Sequence, residues 1–214
     1  MMRYRHILLF ILLVLTCNQQ GINSVKSFDQ DRDPAFVIDS NIAFEEAVAG
    51  ISIPQNILEN LRLVDVYYYG FDEKLHKGQL VVHKDVVLDI IEIFEVIRES
   101  HFPIGKVVPI SKYGWSDENS MKDNNTSAFN YRFISGSRVI SNHATGLAID
   151  INPALNPYIK NGSSLPENCI YDTTKAGTIA AGSQLVKEFN QRGWDWGGHW
   201  KSLKDYQHFE KRLK

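Results

Sequence analysis

Ten residues in the second half of the chain, "SNHATGLAID" at 141–150, constrain the fold more than any other stretch. From Gly146 the sequence continues as "GLAIDIN", which alternates like a β-strand, with Leu147, Ile149 and Ile151 on one face and Ala148, Asp150 and Asn152 on the other. The first face is apolar and belongs to a hydrophobic core. A carboxylate is disfavoured in a strand and costly when it is buried unpaired. The pattern therefore predicts a strand whose Asp150 has a partner.

His143 is the natural partner for Asp150, because it lies seven residues earlier and Gly146 allows a tight turn between them. A His–Asp pair can be a structural ion pair, part of a catalytic dyad that needs a nucleophile, or part of a metal site that needs a third ligand. The stretch "DYQHFE" near the C-terminus supplies a candidate third ligand, His208, on a predicted strand. Asp205 precedes His208 by three residues.

Two imidazoles and one carboxylate form a ligand set that suits zinc. Three protein ligands leave a fourth position for water, whose pKa the metal lowers toward about 7. Asp205 could then accept a proton from that water and deliver it to a leaving amine. The spacing alone also allows structural roles for all of these residues.

"SNHATGLAIDIN", taken with "GWDWGGHW" and "DYQHFE", resembles the family of zinc D-alanyl-D-alanine carboxypeptidases and L-alanyl-D-glutamate endopeptidases. The family also holds the vancomycin-resistance dipeptidases and several phage endolysins. Its pattern is S-x-H-x-x-G-x-A-x-D followed downstream by [DE]-x-x-H. Every fixed position is present: Ser141, His143, Gly146, Ala148, Asp150, Asp205 and His208. The resemblance covers roughly residues 78–210, and "NNTSAFNYR" is similar to the segment that precedes the motif in one branch.

The resemblance implies a Zn²⁺ site, a catalytic machinery and a substrate class. Its implied metal ligands are His143, Asp150 and His208, with Asp205 as catalytic base. An arginine of the family binds the scissile carbonyl or its oxyanion, and Arg132 is the candidate here, with Arg138 as the alternative. Ser141 is expected to help hold the substrate. The implied substrates are peptides of cell-wall peptidoglycan, and the implied fold is of the hedgehog/DD-peptidase type.

Some neighbouring residues depart from the family pattern or allow two interpretations. His199 stands where relatives often carry an acidic or polar residue, and it could contact substrate, support a ligand or be exposed; we favour the last two. Trp194, Trp196 and Trp200 could line a cleft, but aromatic residues spaced by two favour packing in the core and at its rim.

The order of predicted elements is β, β, α, β, loop, β, α, β. It consists of strands at 62–70 and 78–83, an amphipathic helix within 84–100, a strand near 105–111, an irregular loop at 112–138, the strand at 146–152, a helix within 177–193 and a last strand within 207–213. This order predicts an α+β fold with a small, mostly antiparallel sheet flanked by helices.

The N-terminus has the pattern of a secretory signal at residues 1–17, with two arginines before a short apolar run. Cys17 ends that run as in a lipoprotein signal, so it is either a site of lipid attachment or removed with the signal. Residues 18–42 are polar and predict a tether, and residues 43–214 the peptidase domain. We expect an exported monomer in the periplasm or cell envelope.

The composition, 43% hydrophobic and 22% charged with a net charge of −2, is that of a globular protein and gives no reason to expect nucleic acid as a partner. The predicted function is hydrolysis of peptidoglycan peptides by a zinc peptidase. A non-catalytic, metal-containing module that binds peptidoglycan is the alternative. A serine peptidase is disfavoured because the chain contains no S-x-x-K or G-x-S-x-G, and H-E-x-x-H is also absent.

Overall fold

A computed structural model of the protein describes residues 36–134 and 136–213. The predicted signal, Cys17 and the tether up to residue 35 lie outside the described residues. Within the described part, no helix combines the length and apolar character needed to cross a bilayer.

The described helices and strands are mostly short. The helices are α1 (Phe44–Ala47), α2 (Gln55–Leu58), α3 (Val87–Glu99), α4 (Asp117–Lys122) and α5 (Gln184–Gln191). The strands are β1 (Val37–Ile38), β2 (Leu61–Tyr69), β3 (Leu75–His83), β4 (Lys106–Val107), β5 (Asn125–Thr126), β6 (Ala148–Asp150), β7 (Tyr158–Lys160), β8 (Ser163–Leu165), β9 (Trp194–Trp196), β10 (Lys204–Asp205) and β11 (His208–Lys211).

The two predicted strands of the first half are confirmed as the antiparallel hairpin β2–β3, which pairs from Leu61 opposite His83 to Tyr69 opposite Leu75. Alternate residues of β2 face the main core, as a half-buried strand requires. β3 is buried on both faces, because Leu80 and Val82 enter the main core while Val81 joins a second cluster. The hairpin therefore contributes side chains to both hydrophobic clusters.

The predicted amphipathic helix is confirmed as α3, which packs on β2 after a 3-10 turn at Lys84–Val86. Its buried face consists of Ile90, Ile93, Phe94 and Ile97, spaced at one helical turn. The predicted helix before Gly193 is also confirmed, but α5 begins only at Gln184, where the Ser183 hydroxyl accepts a hydrogen bond from the Val186 amide.

The predicted closing strand is confirmed as β11, which lies between β6 and β9 in an antiparallel sheet. His208 is opposite Asp150, and Phe209 is opposite both Ile149 and Trp196. The Phe209 ring is fully buried and stacks on Phe189 of α5, with ring centroids 3.8 Å apart. This core contact fixes which side chains of β11 face the opposite side.

The mixture of helices with mostly antiparallel strands is consistent with the predicted α+β class, but the single predicted sheet is wrong. The described strands form four separate sheets, in the orders β1-β3-β2, β10-β7-β8, β6-β11-β9 and β4-β5. Apart from the nine-residue strands of the hairpin, each strand has only two to four residues.

Two predicted irregular segments are more ordered than expected. The loop at 112–138 contains α4 and β5, because the Ser116 hydroxyl caps α4 by accepting from the Asn119 amide. The end of the predicted tether pairs with β3 through β1, and the Ser40 hydroxyl donates to Gln79 of β3. The folded part therefore begins before residue 43.

We predict that Gly146→Ala destabilises the fold by about 2–4 kcal/mol, the combined cost of a left-handed residue and a steric clash. Gly146 has φ +70°, and a Cβ there would lie 2.5 Å from the His83 amide nitrogen. The free energy of unfolding from urea denaturation measures the effect. Gly162→Ala is the matched control, because Gly162 has φ +81° but no atom within 4 Å of such a Cβ. Equal losses in both variants would contradict the clash.

Candidate metal centre

His143 lies in a 3-10 turn, Asn142–Thr145, that begins after Ser141 and ends at Gly146 in the left-handed conformation. The Ser141 hydroxyl accepts a hydrogen bond from the His143 amide (3.3 Å) and so shapes the turn. The His143 ring is buried, and its Nδ1 lies 2.6 Å from the carbonyl oxygen of Ala128. Because a carbonyl only accepts, Nδ1 carries the proton and Nε2 is left with its lone pair.

The three predicted ligands converge on one point. The His143 Nε2 lies 3.3 Å from the Asp150 carboxylate and 3.1 Å from the His208 Nδ1, which in turn lies 2.9 Å from Asp150. One ligand atom from each residue can be chosen so that all lie within 4.8 Å of one another, and all three residues are buried. Paired N, N and O donors at this separation could hold one metal ion, and the donor set fits zinc.

Electrostatics within this group favour a cation between its members. Burial alone would raise the pKa of Asp150, but the adjacent imidazoles of His143 and His208 hold it well below its usual range. Burial alone would lower the pKa of His208, but hydrogen bonds to Asp150 and Glu210 raise it to about 10. A proton on His208 therefore serves as the cation of this group when no metal is bound.

Asp205, the predicted catalytic base, lies on β10 opposite Tyr158 of β7. Its Oδ1 is shielded from solvent and has no hydrogen-bond partner in the described structure. Burial raises the pKa of Asp205 to about 7, with a further upward contribution from the charge of Asp150 and opposing ones from the histidines. The backbone of Asp205 packs against Gly197, where a Cβ would lie 2.5 Å from the Asp205 carbonyl oxygen.

Arg132 lies beside the turn that carries His143, since its carbonyl accepts a hydrogen bond from the Ser141 amide (3.1 Å). One guanidinium nitrogen, Nη2, lies 2.7 Å from a carboxylate oxygen of Asp117 at the start of α4. The Nε of Arg132 is buried and has no partner among the described residues. Arg138 is exposed in the following turn, and no described contact joins it to the three candidate ligands.

The aromatic residues of "GWDWGGHW" divide as their spacing indicated. Trp194 and Trp196 are buried in the main core. Trp200 borders the candidate site instead, with its ring centroid 5.4 Å from that of His208. His199 is exposed and contacts the Trp196 ring edge-to-face at 5.0 Å. Among the described contacts, none joins His199 to the three candidate ligands.

Two residues of the site were missed by the sequence analysis. The Glu210 carboxylate lies 3.2 Å from Nε2 of His208, and the Asn142 side-chain amide donates to the same carboxylate oxygen at 2.6 Å. The i, i+2 spacing of His208 and Glu210 on a predicted strand places them on one face and could have indicated the first contact. The second contact joins residues 68 positions apart, which spacing does not reveal.

Residues 135–211 match a family model described as D-alanyl-D-alanine carboxypeptidase. The match includes all three candidate ligands and Asp205, and it spans about a third of the chain. No curated protein and no solved structure matches the chain. The match supports the predicted peptidase family for this part of the chain, and the buried His–Asp–His group is compatible with a metal-dependent peptidase.

We predict that the metal-free protein loses stability as the pH rises from 7 to 10. The pKa of His208 is raised by folding, so its contribution is fully present below about 6.5 and is lost as the pH passes through 10. The melting temperature should fall by roughly 2–4 °C for each kcal/mol lost. Thermal unfolding of chelator-treated protein measures this fall.

Two comparisons make this test specific. His208→Gln should show a flatter dependence than the wild type over the same range, because it carries no titrating proton. Added zinc should also flatten the curve, since the metal replaces the proton. A wild-type curve as flat as that of His208→Gln contradicts the assignment.

Proposed function

We propose that this protein is a zinc-dependent peptidase that hydrolyses peptide bonds in the stems of cell-wall peptidoglycan. The observation that carries the proposal is the convergence of His143, Asp150 and His208 on one point, with the unpaired carboxylate oxygen of Asp205 in the same electrostatic environment. The family match over residues 135–211 supports the same chemistry. The bond cleaved is D-alanyl-D-alanine at the stem terminus or L-alanyl-D-glutamate within it.

Zinc bound by these ligands would supply a water of lowered pKa and polarise the scissile carbonyl. Asp205 fits the part of general base, because burial raises its pKa above that of an exposed aspartate and so makes it a stronger proton acceptor. A nearby dication would lower this pKa, so Asp205 would be ionised and able to accept at neutral pH.

Arg132 remains our candidate for binding the developing oxyanion or the peptide carbonyl. Its salt bridge to Asp117 restrains the guanidinium beside the turn that carries His143. A restrained donor is worth more to a transition state than a mobile one, because no reorganisation is needed during the reaction. Ser141 caps the turn of His143, and its proposed contact with substrate rests on the family resemblance alone.

The alternative of a non-catalytic binding module is less consistent with Asp205. A module that only binds gains nothing from an enclosed carboxylate with a free acceptor oxygen, which costs stability when ionised. We further propose a hedgehog/DD-peptidase fold, export to the periplasm or cell envelope, and action as a monomer. Attachment through a lipid at Cys17 remains a prediction.

We predict that Asp205→Ala binds one equivalent of zinc but loses about 10²–10⁴-fold in kcat, because only proton transfer is removed. His208→Ala should lose both zinc and turnover, because it removes a ligand. Metal analysis of purified protein and initial rates on muropeptides measure the two quantities. His101→Asn is the control, since His101 is exposed, stacks on Tyr69 and has a positive φ that asparagine tolerates. Near-normal activity in Asp205→Ala would show that the base is another residue.

We predict that mature, zinc-loaded protein shortens purified muropeptides and that chelation abolishes the reaction. Mass spectrometry distinguishes release of a terminal alanine from cleavage between alanine and glutamate. Re-addition of zinc should restore the original product. Folded, zinc-loaded protein that retains muropeptides without cleaving them would favour the binding module.

A further inference from the structure

We infer that Glu210, held by Asn142, is a positioning residue that fixes the ring and tautomer of His208 so that Nδ1 faces the metal. The inference rests on the metal-binding part of the proposed function. It concerns the carboxylate of Glu210 and the side-chain amide of Asn142, which lie behind the candidate ligands. Neither group contacts His143 or Asp150 in the described hydrogen bonds.

The placement of Glu210 follows from strand geometry. His208 and Glu210 lie two residues apart on β11 and so share a face, while Phe209 between them points into the core. The strand cannot slip without removing Phe209 from its stack on Phe189. The side chain of Glu210 is only 12% exposed, so its contact with His208 is shielded from competing water.

The carboxylate determines which nitrogen of His208 carries the proton. A neutral imidazole has one N–H and one lone pair, and a carboxylate can only accept. When His208 gives up one proton to bind a metal, the Glu210 carboxylate 3.2 Å from Nε2 would keep the remaining proton on Nε2 and leave Nδ1 to coordinate. Without Glu210, the remaining acceptor for His208 is Asp150 at 2.9 Å from Nδ1, which favours the tautomer that blocks coordination.

Asn142 connects this device to the other histidine ligand. Its side-chain amide donates to the oxygen of Glu210 that also accepts from His208, and Asn142 precedes His143 in the 3-10 turn. One oxygen atom thus joins the turn that carries His143 to the strand that carries His208. Each imidazole thus has its own acceptor: the carbonyl of Ala128 orients His143, and the carboxylate of Glu210 orients His208.

The variants Glu210→Ala, Glu210→Gln and Asn142→Ala test the inference. Zinc affinity is measured by competition with a chromophoric chelator, and the tautomer by long-range ¹H–¹⁵N correlation of the imidazoles in zinc-loaded protein. Glu210→Ala should weaken zinc binding by about 10–100-fold. Glu210→Gln should lose less, because a single amide oxygen can accept from both His208 and Asn142. Asn142→Ala should fall between Glu210→Gln and Glu210→Ala.

Arg212→Ala is the matched control. Nη2 of Arg212 lies 3.8 Å from Oε1 of Glu210, the oxygen that His208 and Asn142 do not contact, and the Arg212 side chain is 88% exposed. It should bind zinc like the wild type. The inference is overturned if Glu210→Ala binds zinc as tightly as Arg212→Ala does, or if wild-type His208 coordinates through Nε2. If Glu210→Ala does not fold, Glu210→Gln and Asn142→Ala decide, and unchanged affinity in both overturns it.

These readouts do not depend on catalysis. Wild-type protein that binds zinc through Nδ1 of His208 but leaves muropeptides intact would overturn the peptidase proposal and leave the role of Glu210 standing. Unchanged zinc affinity in the Glu210 variants, with muropeptides cleaved by the wild type, would do the reverse. Wild-type protein that binds no zinc would overturn both.

Discussion

The antiparallel pairing of β11 with β6 is the interaction on which the candidate site depends. It places His208 directly opposite Asp150, although 58 residues separate them in the chain. The pairing is fixed from the other side of the strand, where the ring of Phe209 is fully buried among aromatic neighbours. A slip of one residue would turn His208 into the core and Phe209 toward the site. Apolar burial on one face therefore sets the arrangement of the candidate ligands on the other.

The candidate site has more carboxylates than imidazoles, so its side chains do not balance one another's charge without an added cation. Asp150, Asp205 and Glu210 are all withdrawn from solvent to different extents, and two imidazoles are the nearest compensating groups. Burying carboxylates without a cation is costly, so the group must hold either a proton or a metal ion. The same charges that raise the pKa of His208 would therefore favour a dication, and binding of that dication must release a proton at neutral pH.

The sequence predicted those features that arise from local periodicity. The hairpin, α3 and β11 each repeat apolar residues at the spacing of their own structure, and the candidate ligands lie within two short motifs. The division into four sheets was missed because strand pairing is a property of residues distant in sequence, and two- to four-residue strands carry little pattern. The same reason explains why Asn142 was missed, since its partner Glu210 is brought near only by the β6–β11 pairing. The Ser116 cap of α4 is a local signal that the sequence contains. The helix was still missed, because its polar residues resemble those of a loop.

The two aspartates of the motif show how one small region can assign different tasks to identical side chains. Asp150 lies between two imidazoles, which hold its pKa below the usual range and make it a permanent anion, as a metal ligand must be. Asp205 lies on a different sheet, enclosed near Gly197 and with one oxygen unpaired, and its pKa rises to about 7. Environments that drive two such pKa values apart are what the proposed roles of ligand and base require. The hydrogen bonds of Glu210 with His208 and Asn142 lower its pKa, which suits the acceptor role inferred for it. The burial and partners of each carboxylate, more than its residue type, thus determine what it can do in this site.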